Sequence, residues 1–549
     1  MFETAELGRS LSKADFKAIS PGLRQELLAL QDDLHRHRRF PVLLVFAGVD
    51  GAGKSETVSL LNEWMDPRWL ANLAYDEPYA AERERPEFWR YWRDLPKRGE
   101  IGLFLSAWYS QPVLDRVYEH IDEADFAKQL ERIVRFETTL VRDGALILKF
   151  WMHLSRDGQE TRLRNLERDP LTQARVSERD WEHWRLYDRF IAAAEQVISR
   201  TNRGLAPWQV VEGADPHYRG VTVATALRDA LRRRLEEIET EGERPLPSAE
   251  TATRRKSRKR KKTKDDGNGG DGKNGGKRNG GSDELAALRA PAATAAYQAA
   301  NGLTILDRLD MSLDLDKAAY RERLSQAQAR LHRLHRRAKA EGLTSILLFE
   351  GPDAAGKGGA IRRVNTALDP RNYDVFGIAA PNEEERARHY LWRFWRRLPR
   401  AGRIILFDRS WYGRVLVERI EGFASDEEWR RAYAEINDFE EQLIDHGMVL
   451  MKYWIHITKA EQFARFKQRE ATPYKRWKLT EEDWRNRERW DDYERAVNDM
   501  VQYTSTAAAP WTLVEGNDKR HARIKVLEGF CERLARALGE DGRSEGDAG

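Results

Sequence analysis

Two stretches of the chain are built to hold phosphate. Gly48-Val49-Asp50-Gly51-Ala52-Gly53-Lys54-Ser55 follows the strict Gly-x4-Gly-Lys-Ser pattern, and Gly351-Pro352-Asp353-Ala354-Ala355-Gly356-Lys357-Gly358 repeats it with glycine in the last place. Glycines let successive backbone N–H groups wrap an anion, the following helix adds its positive N-terminus, and the lysine adds a point charge. Each loop also carries an acid, Asp50 or Asp353. An acid there repels phosphate unless a cation sits between them.

The hydroxyl of Ser55 makes the first loop the better formal match. The neighbouring segment argues the opposite way. Metal-assisted phosphoryl chemistry at such a loop needs a carboxylate at the end of an adjacent strand. Leu406-Phe407-Asp408-Arg409-Ser410-Trp411-Tyr412-Gly413-Arg414 has one, whereas the matching Leu103-Phe104-Leu105-Ser106-Ala107-Trp108-Tyr109-Ser110-Gln111 does not. Asp408, Arg409 and Arg414 have become Leu105, Ser106 and Gln111, while Trp and Tyr are kept, which suits packing. A third window splits the same way: Pro473-Tyr474-Lys475-Arg476-Trp477-Lys478 against Pro170-Leu171-Thr172-Gln173-Ala174-Arg175. Cations around an aromatic ring can meet a polyanion and a base face. The arginine-rich stretch Arg386–Arg400 is basic in both copies and reads mostly as a solvated helix face. His389 reads as surface, His456 as a strand-end or core residue, and Cys531 as packing.

These comparisons work because the chain is one unit written twice. Asp66-Pro67-Arg68 returns as Asp369-Pro370-Arg371, Trp108-Tyr109 as Trp411-Tyr412, Lys149 as Lys452 and Glu212-Gly213 as Glu515-Gly516, all at an offset of 303. In the second copy, Ser345–Phe349, Arg403–Phe407, Val449–Ile455 and Trp511–Val514 are short apolar runs with the length of buried strands. Helical patterns alternate with them, including Lys357–Leu368, and helical lead-ins Leu23–Arg38 and Lys317–Lys339 precede each set. Strand–helix alternation predicts an α/β fold with a parallel sheet covered by helices on both faces.

The chain has 549 residues and a net charge of +4. Arg254–Gly281 alone holds 12 Lys or Arg against 3 Asp and nothing apolar to bury, so it reads as a flexible tether. The expected domains are 1–240, a basic Gly-rich linker 241–285, a second domain 286–538 and a disordered tail 539–549. One cysteine excludes a disulfide within the chain and any cysteine metal cage. There is no apolar run of about 18 residues and no signal-peptide pattern at the start, so a membrane is not expected as partner and a cytoplasmic location is. The basic tether could dock on nucleic acid, but such runs are ordinarily solvated, and nucleic acid is not expected as a partner.

Gly351-x-Asp353-Ala354-Ala355-Gly356-Lys357-Gly358-Gly359, Phe407–Arg414 and Lys475-Arg476-Trp477-Lys478 together closely resemble the polyphosphate kinase 2 family. The resemblance covers Lys317–Arg536 and, in degraded form, Lys13–Arg234. The tandem arrangement and Trp411–Arg419 resemble its two-domain class, which phosphorylates AMP from inorganic polyphosphate. The resemblance implies two tandem P-loop kinase-like domains similar to thymidylate kinase, with a helical lid over about Gln462–Asp483. It also implies Mg²⁺, with Mn²⁺ as a substitute, bound by Asp353 and Asp408. The loop N–H groups of Gly351, Ala355, Gly356 and Gly358, with Lys357, would hold the polyphosphate end. Arg409 and Arg414 would orient the acceptor phosphate. Arg465 and Arg469, on one helical face, would close over the anions with Lys475 and Lys478, and Trp477 would pack on lid or base. The two copies are expected to form a pseudo-dimer within the chain, with higher assembly open. Transfer to ADP, and an ATP-dependent nucleoside monophosphate kinase, are the alternatives.

Overall fold

The computed structural model describes residues 1–240, 304–473 and 479–540. The expected linker, residues 286–303 of the expected second domain, most of the tail, and Lys475, Trp477 and Lys478 lie outside the described residues. Contacts divide the chain into two compact units. The first comprises Met1–Arg83, Glu87–Leu246 and Pro381–Arg397; the second comprises Glu84–Pro86, Pro247–Ala380 and Leu398–Gly549.

Each unit is built on five parallel strands. The first holds β1 (Val42–Gly48), β2 (Leu70–Ala74), β3 (Ile101–Leu105), β4 (Leu146–His153) and β5 (Trp208–Glu212) in the order β2-β3-β1-β4-β5. The second holds β6 (Ser345–Glu350), β7 (Tyr373–Gly377), β8 (Ile404–Asp408), β9 (Val449–His456) and β10 (Trp511–Glu515) in the equivalent order β7-β8-β6-β9-β10. The α/β fold with two tandem parallel sheets is therefore as expected. The order places β6 between β8 and β9, and successive strands are added on opposite sides of it. That is the switch point where open α/β sheets bind ligands, at the carboxyl ends of the strands.

The legible strands are the continuous apolar runs, which include the central strands and the edge strand β10. β6 and β9 are buried along their whole lengths. β2 and β7 were missed. They lie at sheet edges, and a polar residue, Asn72 in β2 and Asp374 in β7, interrupts each short apolar run. β8 starts one residue later than expected, at Ile404, and ends on Asp408. The helix after the second loop stops at Asn365 rather than Leu368, and the first lead-in begins at Lys13 and runs through Pro21.

In the second unit, Leu347, Phe349, Leu406, Tyr453 and Ile455 of the sheet pack with Val526, Leu527 and Phe530 of the helix Lys519–Ala537. Cys531 belongs to this core. It is fully buried, burial pushes its thiol up to about 12, and its Sγ donates to the Ala327 carbonyl, so packing is its role.

One surface expectation is corrected. Arg386–Arg400 is not a solvated helix face but short turns around buried aromatics. Trp392, Phe394 and Trp395 are buried, and so is His389. Arg388 and Arg396 stack on the Trp392 ring, and Arg397 pairs with buried Glu385 at 3.0 Å. Guanidinium planes cover the indole and reach the acid, so charge here does not mean solvent. His456, at the end of β9, is buried as expected.

Candidate active site

β6 ends at Glu350, and the chain bends through Gly351–Gly356 into the helix Lys357–Asn365. Gly351 has φ +149°, and a Cβ there would run into the Ile455 carbonyl of β9, so only glycine passes. Ala354 at φ +66° and Gly356 at φ +116° add left-handed bends. Such alternation turns successive amides to one side, and the helix start has no side-chain cap, leaving its first N–H groups for a ligand. Lys357 Nζ lies over the loop, donating to the carbonyls of Gly351 at 2.6 Å and Pro352 at 3.3 Å.

Asp353 is firmly held. Its Oδ1 accepts from Arg409 Nη2 at 2.9 Å and its Oδ2 from Asn486 Nδ2 at 2.9 Å. Burial opposes its ionisation, but Lys357, Arg409 and Asn486 outweigh burial and hold the carboxyl below the usual carboxylate range. Arg409 sits at φ +65° just past the end of β8. Burial disfavours its charge, yet Asp353 and Glu350 keep its pKa above the ordinary value.

Asp408, the last residue of β8, contrasts with Asp353. Among the described residues its carboxylate has no hydrogen bond or ion pair. Its Oδ2 stands 4.0 Å from where a Cβ of Gly358 would be, with no side chain from that residue between the acid and the loop. The described residues contain no cluster of three His, Cys, Asp or Glu able to cage a metal. Two carboxylates beside a phosphate loop instead suit a hard cation that completes its shell with water and phosphate oxygens.

Arg465 differs from expectation. It is only 4% exposed, and all five donors are used: Nε on Glu461, Nη1 on the Ala354 and Ala355 carbonyls, Nη2 on those of Gly516 and Asn517. It braces the loop against β10 instead of presenting its charge to an anion. Arg469, one turn on, is half-buried. Gln462, where the lid was expected to start, is buried and donates to the Asp353 carbonyl at 3.1 Å, so this part of the segment supports the loop. Arg414 closes the turn after β8, with Nε 3.2 Å from Glu418.

Two participants escaped the sequence reading. Glu350 is buried and accepts from Ser410 Oγ at 2.8 Å; burial raises its pKa, against the pull of Lys357. Asn486 reaches Asp353 from a separate helix, Glu481–Glu488. The signal for Glu350 and Ser410 was present in the duplication: both are alanine, Ala47 and Ala107, in the first copy.

The polyphosphate kinase 2 family profile matches residues 10–239 and 314–541, so both units are recognised. The chain belongs to the polyphosphate kinase 2 family. A relative from Pseudomonas aeruginosa named polyphosphate:AMP phosphotransferase is 46% identical over 541 residues, covering 98% of this chain and 100% of that protein. One of the same name from Acinetobacter johnsonii is 34% identical over 94% of this chain and 95% of its own length. A crystal structure of a polyphosphate kinase 2 from Pseudomonas aeruginosa superposes with a TM-score of 0.81 at 44% identity, covering 98% of this chain and all of that one.

Within this family fold the two units share one buried network and differ around the loop. Lys452 Nζ donates to Tyr412 Oη, Glu440 Oε2 and the Thr504 carbonyl, while Trp411 and Tyr412 donate to Glu440 Oε1. Lys149, Tyr109, Glu137, Thr201 and Trp108 reproduce every one of these bonds. This buried network is common to both units and holds the fold. In the first unit, however, Lys54 lies on the Gly48 and Val49 carbonyls beside a β3 that ends in Leu105, and Asp50 meets His183 Nδ1 at 2.5 Å where Asp353 meets an amide.

Proposed function

We propose that the second unit transfers a phosphoryl group from inorganic polyphosphate to AMP, yielding ADP and a chain shorter by one phosphate. The observation that carries this reading is Asp408 standing beside Gly358 and next to Arg409 with no partner among the described residues. The names of the relatives that match nearly the whole chain support AMP as the acceptor. The first unit, which has Leu105 and Ser106 at those places, serves as scaffold. We read 1–240 and 286–538 as the two domains, joined by the basic linker.

Asp408 and Asp353 would hold Mg²⁺, or Mn²⁺ in its place. The geometry fits because Asp408 has no competing partner among the described residues and Lys357 and Arg409 favour the ionised form of Asp353. When bound, the ion neutralises charge on the phosphates and aligns them. An oxygen of the AMP phosphate attacks the terminal phosphorus of the chain. The bond from that phosphorus to its bridging oxygen breaks, and the electron pair leaves on the shortened chain. The acceptor is already anionic near neutral pH, so no base is needed to strip a proton, and the task reduces to positioning and charge stabilisation. Lys357 and the amides of Gly351, Gly356 and Gly358 hold the donor end, whereas the expected Ala355 N–H instead donates to the Pro352 carbonyl at 3.1 Å and closes the loop. Arg409 and Arg414 orient the acceptor. Arg469, Lys475 and Lys478 close over the anions, and Trp477 packs against lid or base.

Product analysis tests this with polyphosphate as sole donor and AMP, ADP or GMP as acceptor. ADP should form from AMP, and EDTA should abolish it. Equal use of ATP as donor would identify an ordinary nucleoside monophosphate kinase. Preference for ADP over AMP would identify the ADP-directed activity.

A further inference from the structure

Gly358 faces Asp408, but the next residue faces a different group. A Cβ on Gly359 would lie 3.4 Å from Nη2 and 3.5 Å from Nε of Arg523, which projects from the helix Lys519–Ala537. Arg523 is half-buried, and among the described residues it has no hydrogen bond, ion pair or ring contact. Its neighbours on that helix are partnered: Arg520 with Asp518, and Lys525 with Glu515. The charge of Arg523 also reaches Arg465, as does that of Arg469. A partly desolvated guanidinium beside another cation and the positive start of a helix is unfavourable unless an anion joins it.

The first unit inverts this arrangement. The place of Gly359 is taken by Glu56, and that of Arg523 by Gly220. The Glu56 carboxylate meets Arg162 at 2.5 Å, Arg175 at 3.8 Å and Arg219. Where the strand-end carboxylate is lost, an internal acid fills the space beside the loop helix. Where it is kept, glycine leaves that space open in front of an arginine that has no partner among the described residues.

We propose that Arg523 binds the donor polyphosphate chain beyond the phosphoryl group that is transferred; this rests on the function proposed above. Successive helical residues point about 100° apart. The reacting end lies on the Asp408 and Lys357 side of the helix start, and the chain passes over the Gly358 amide and the open face beside Gly359 to reach Arg523. A guanidinium offers parallel donors to phosphate oxygens, an arrangement a polyphosphate chain satisfies at successive phosphates.

The test starts with the parent protein. If it forms no ADP from polyphosphate and AMP, the function proposed above fails. If it does, Arg523→Gln should raise KM for long-chain polyphosphate about tenfold or more, the scale of one charge-assisted hydrogen bond. Turnover at saturating polyphosphate and KM for AMP should stay within about twofold. The effect should shrink with tripolyphosphate, which is too short to extend far past the reacting end. Long-chain polyphosphate binding to nucleotide-free protein should weaken in parallel, and Arg523→Lys should recover part of the loss. Gly359→Glu, which copies the first unit's acid, should mimic Arg523→Gln. Should Arg523→Gln melt below the parent, the lysine and Gly359→Glu variants decide by the same criteria. Unchanged polyphosphate KM and binding, an equal rise in KM for AMP, or an effect independent of chain length would each overturn the assignment.

Discussion

Lys54 and Lys357 occupy the same position in two similar loops, and replacing each with alanine should have opposite consequences. Lys357 Nζ lies within 2.6 Å of the Gly351 carbonyl, in a loop that also faces Asp408 and Arg409. Two unit charges about 4 Å apart attract by about 4 kcal/mol at an effective dielectric of about 20. Each 1.36 kcal/mol is about tenfold in rate. Removing one preorganised donor of this kind ordinarily costs about 10²–10³ in turnover. Lys357→Ala should therefore lose roughly a hundredfold or more, and Asp408→Asn should fall in the same range. Lys54 Nζ makes equivalent bonds, 2.7 Å to Gly48 and 3.0 Å to Val49, but Leu105 stands where a carboxylate is needed. Lys54→Ala should cost less than about threefold. The assay is AMP-dependent ADP formation at saturating polyphosphate, with melting temperature as the check on folding. If Lys54→Ala is as inactive as Lys357→Ala while both melt like the parent, the assignment of chemistry to the second unit is wrong.

Three other outcomes follow from individual contacts. Lys452→Met leaves Glu440 buried without its cation and should destabilise the second unit by about 3–5 kcal/mol in urea unfolding; Lys149→Met should do the same to the first. Burial lowers His456 to about 4, opposed only weakly by Asp307, so folding excludes its proton. That stabilisation is full above the unfolded value near 6.5 and is lost as pH falls toward 4, by up to about 3 kcal/mol, so His456→Gln should flatten the fall in urea midpoint over that window. Asn486→Ala removes a bond that helps hold Asp353 below its ordinary value, and should move the acid limb of the pH–rate profile upward without shifting the alkaline limb.

The legible parts of the molecule were those that composition marks unambiguously. β6, β8, β9 and β10 are runs of apolar residues, and the structure moves their ends by about one residue. β7 escapes because Asp374 and Gly377 interrupt its apolar run, leaving only Val375 and Phe376 together. At the site, Lys357, Asp353, Asp408 and Arg409 lie in two short windows; the loop pattern marks Lys357 and Asp353, and comparison of the copies separates Asp408 and Arg409 from Trp411 and Tyr412, which serve the shared Lys–Glu network. Arg465 was misread for a physical reason. Spacing puts Arg465 and Arg469 near one face of a helix, but charge does not say which face is buried. Here Gln462, Arg465 and Phe466 point inward together, and a guanidinium goes in because five carbonyl and carboxylate acceptors await it.

The duplication carries information of a kind that a single copy lacks. Each position has an internal control that folds into the same strand order and keeps the same buried network. A difference at such a position therefore cannot be required by the fold. Asp408 and Leu105, Glu350 and Ala47, Ser410 and Ala107, Gly359 and Glu56, and Arg523 and Gly220 all differ in this way, and all border one loop. The substitutions are also mutually consistent. Loss of Ser410 accompanies loss of the acid it bonds, and loss of Arg523 accompanies gain of an acid held by other arginines. Independent drift would scatter changes over the surface. Paired changes around one loop instead support the proposal that the second unit meets its anions there, and they make the Gly359→Glu variant a direct way to impose the first unit's state on the second.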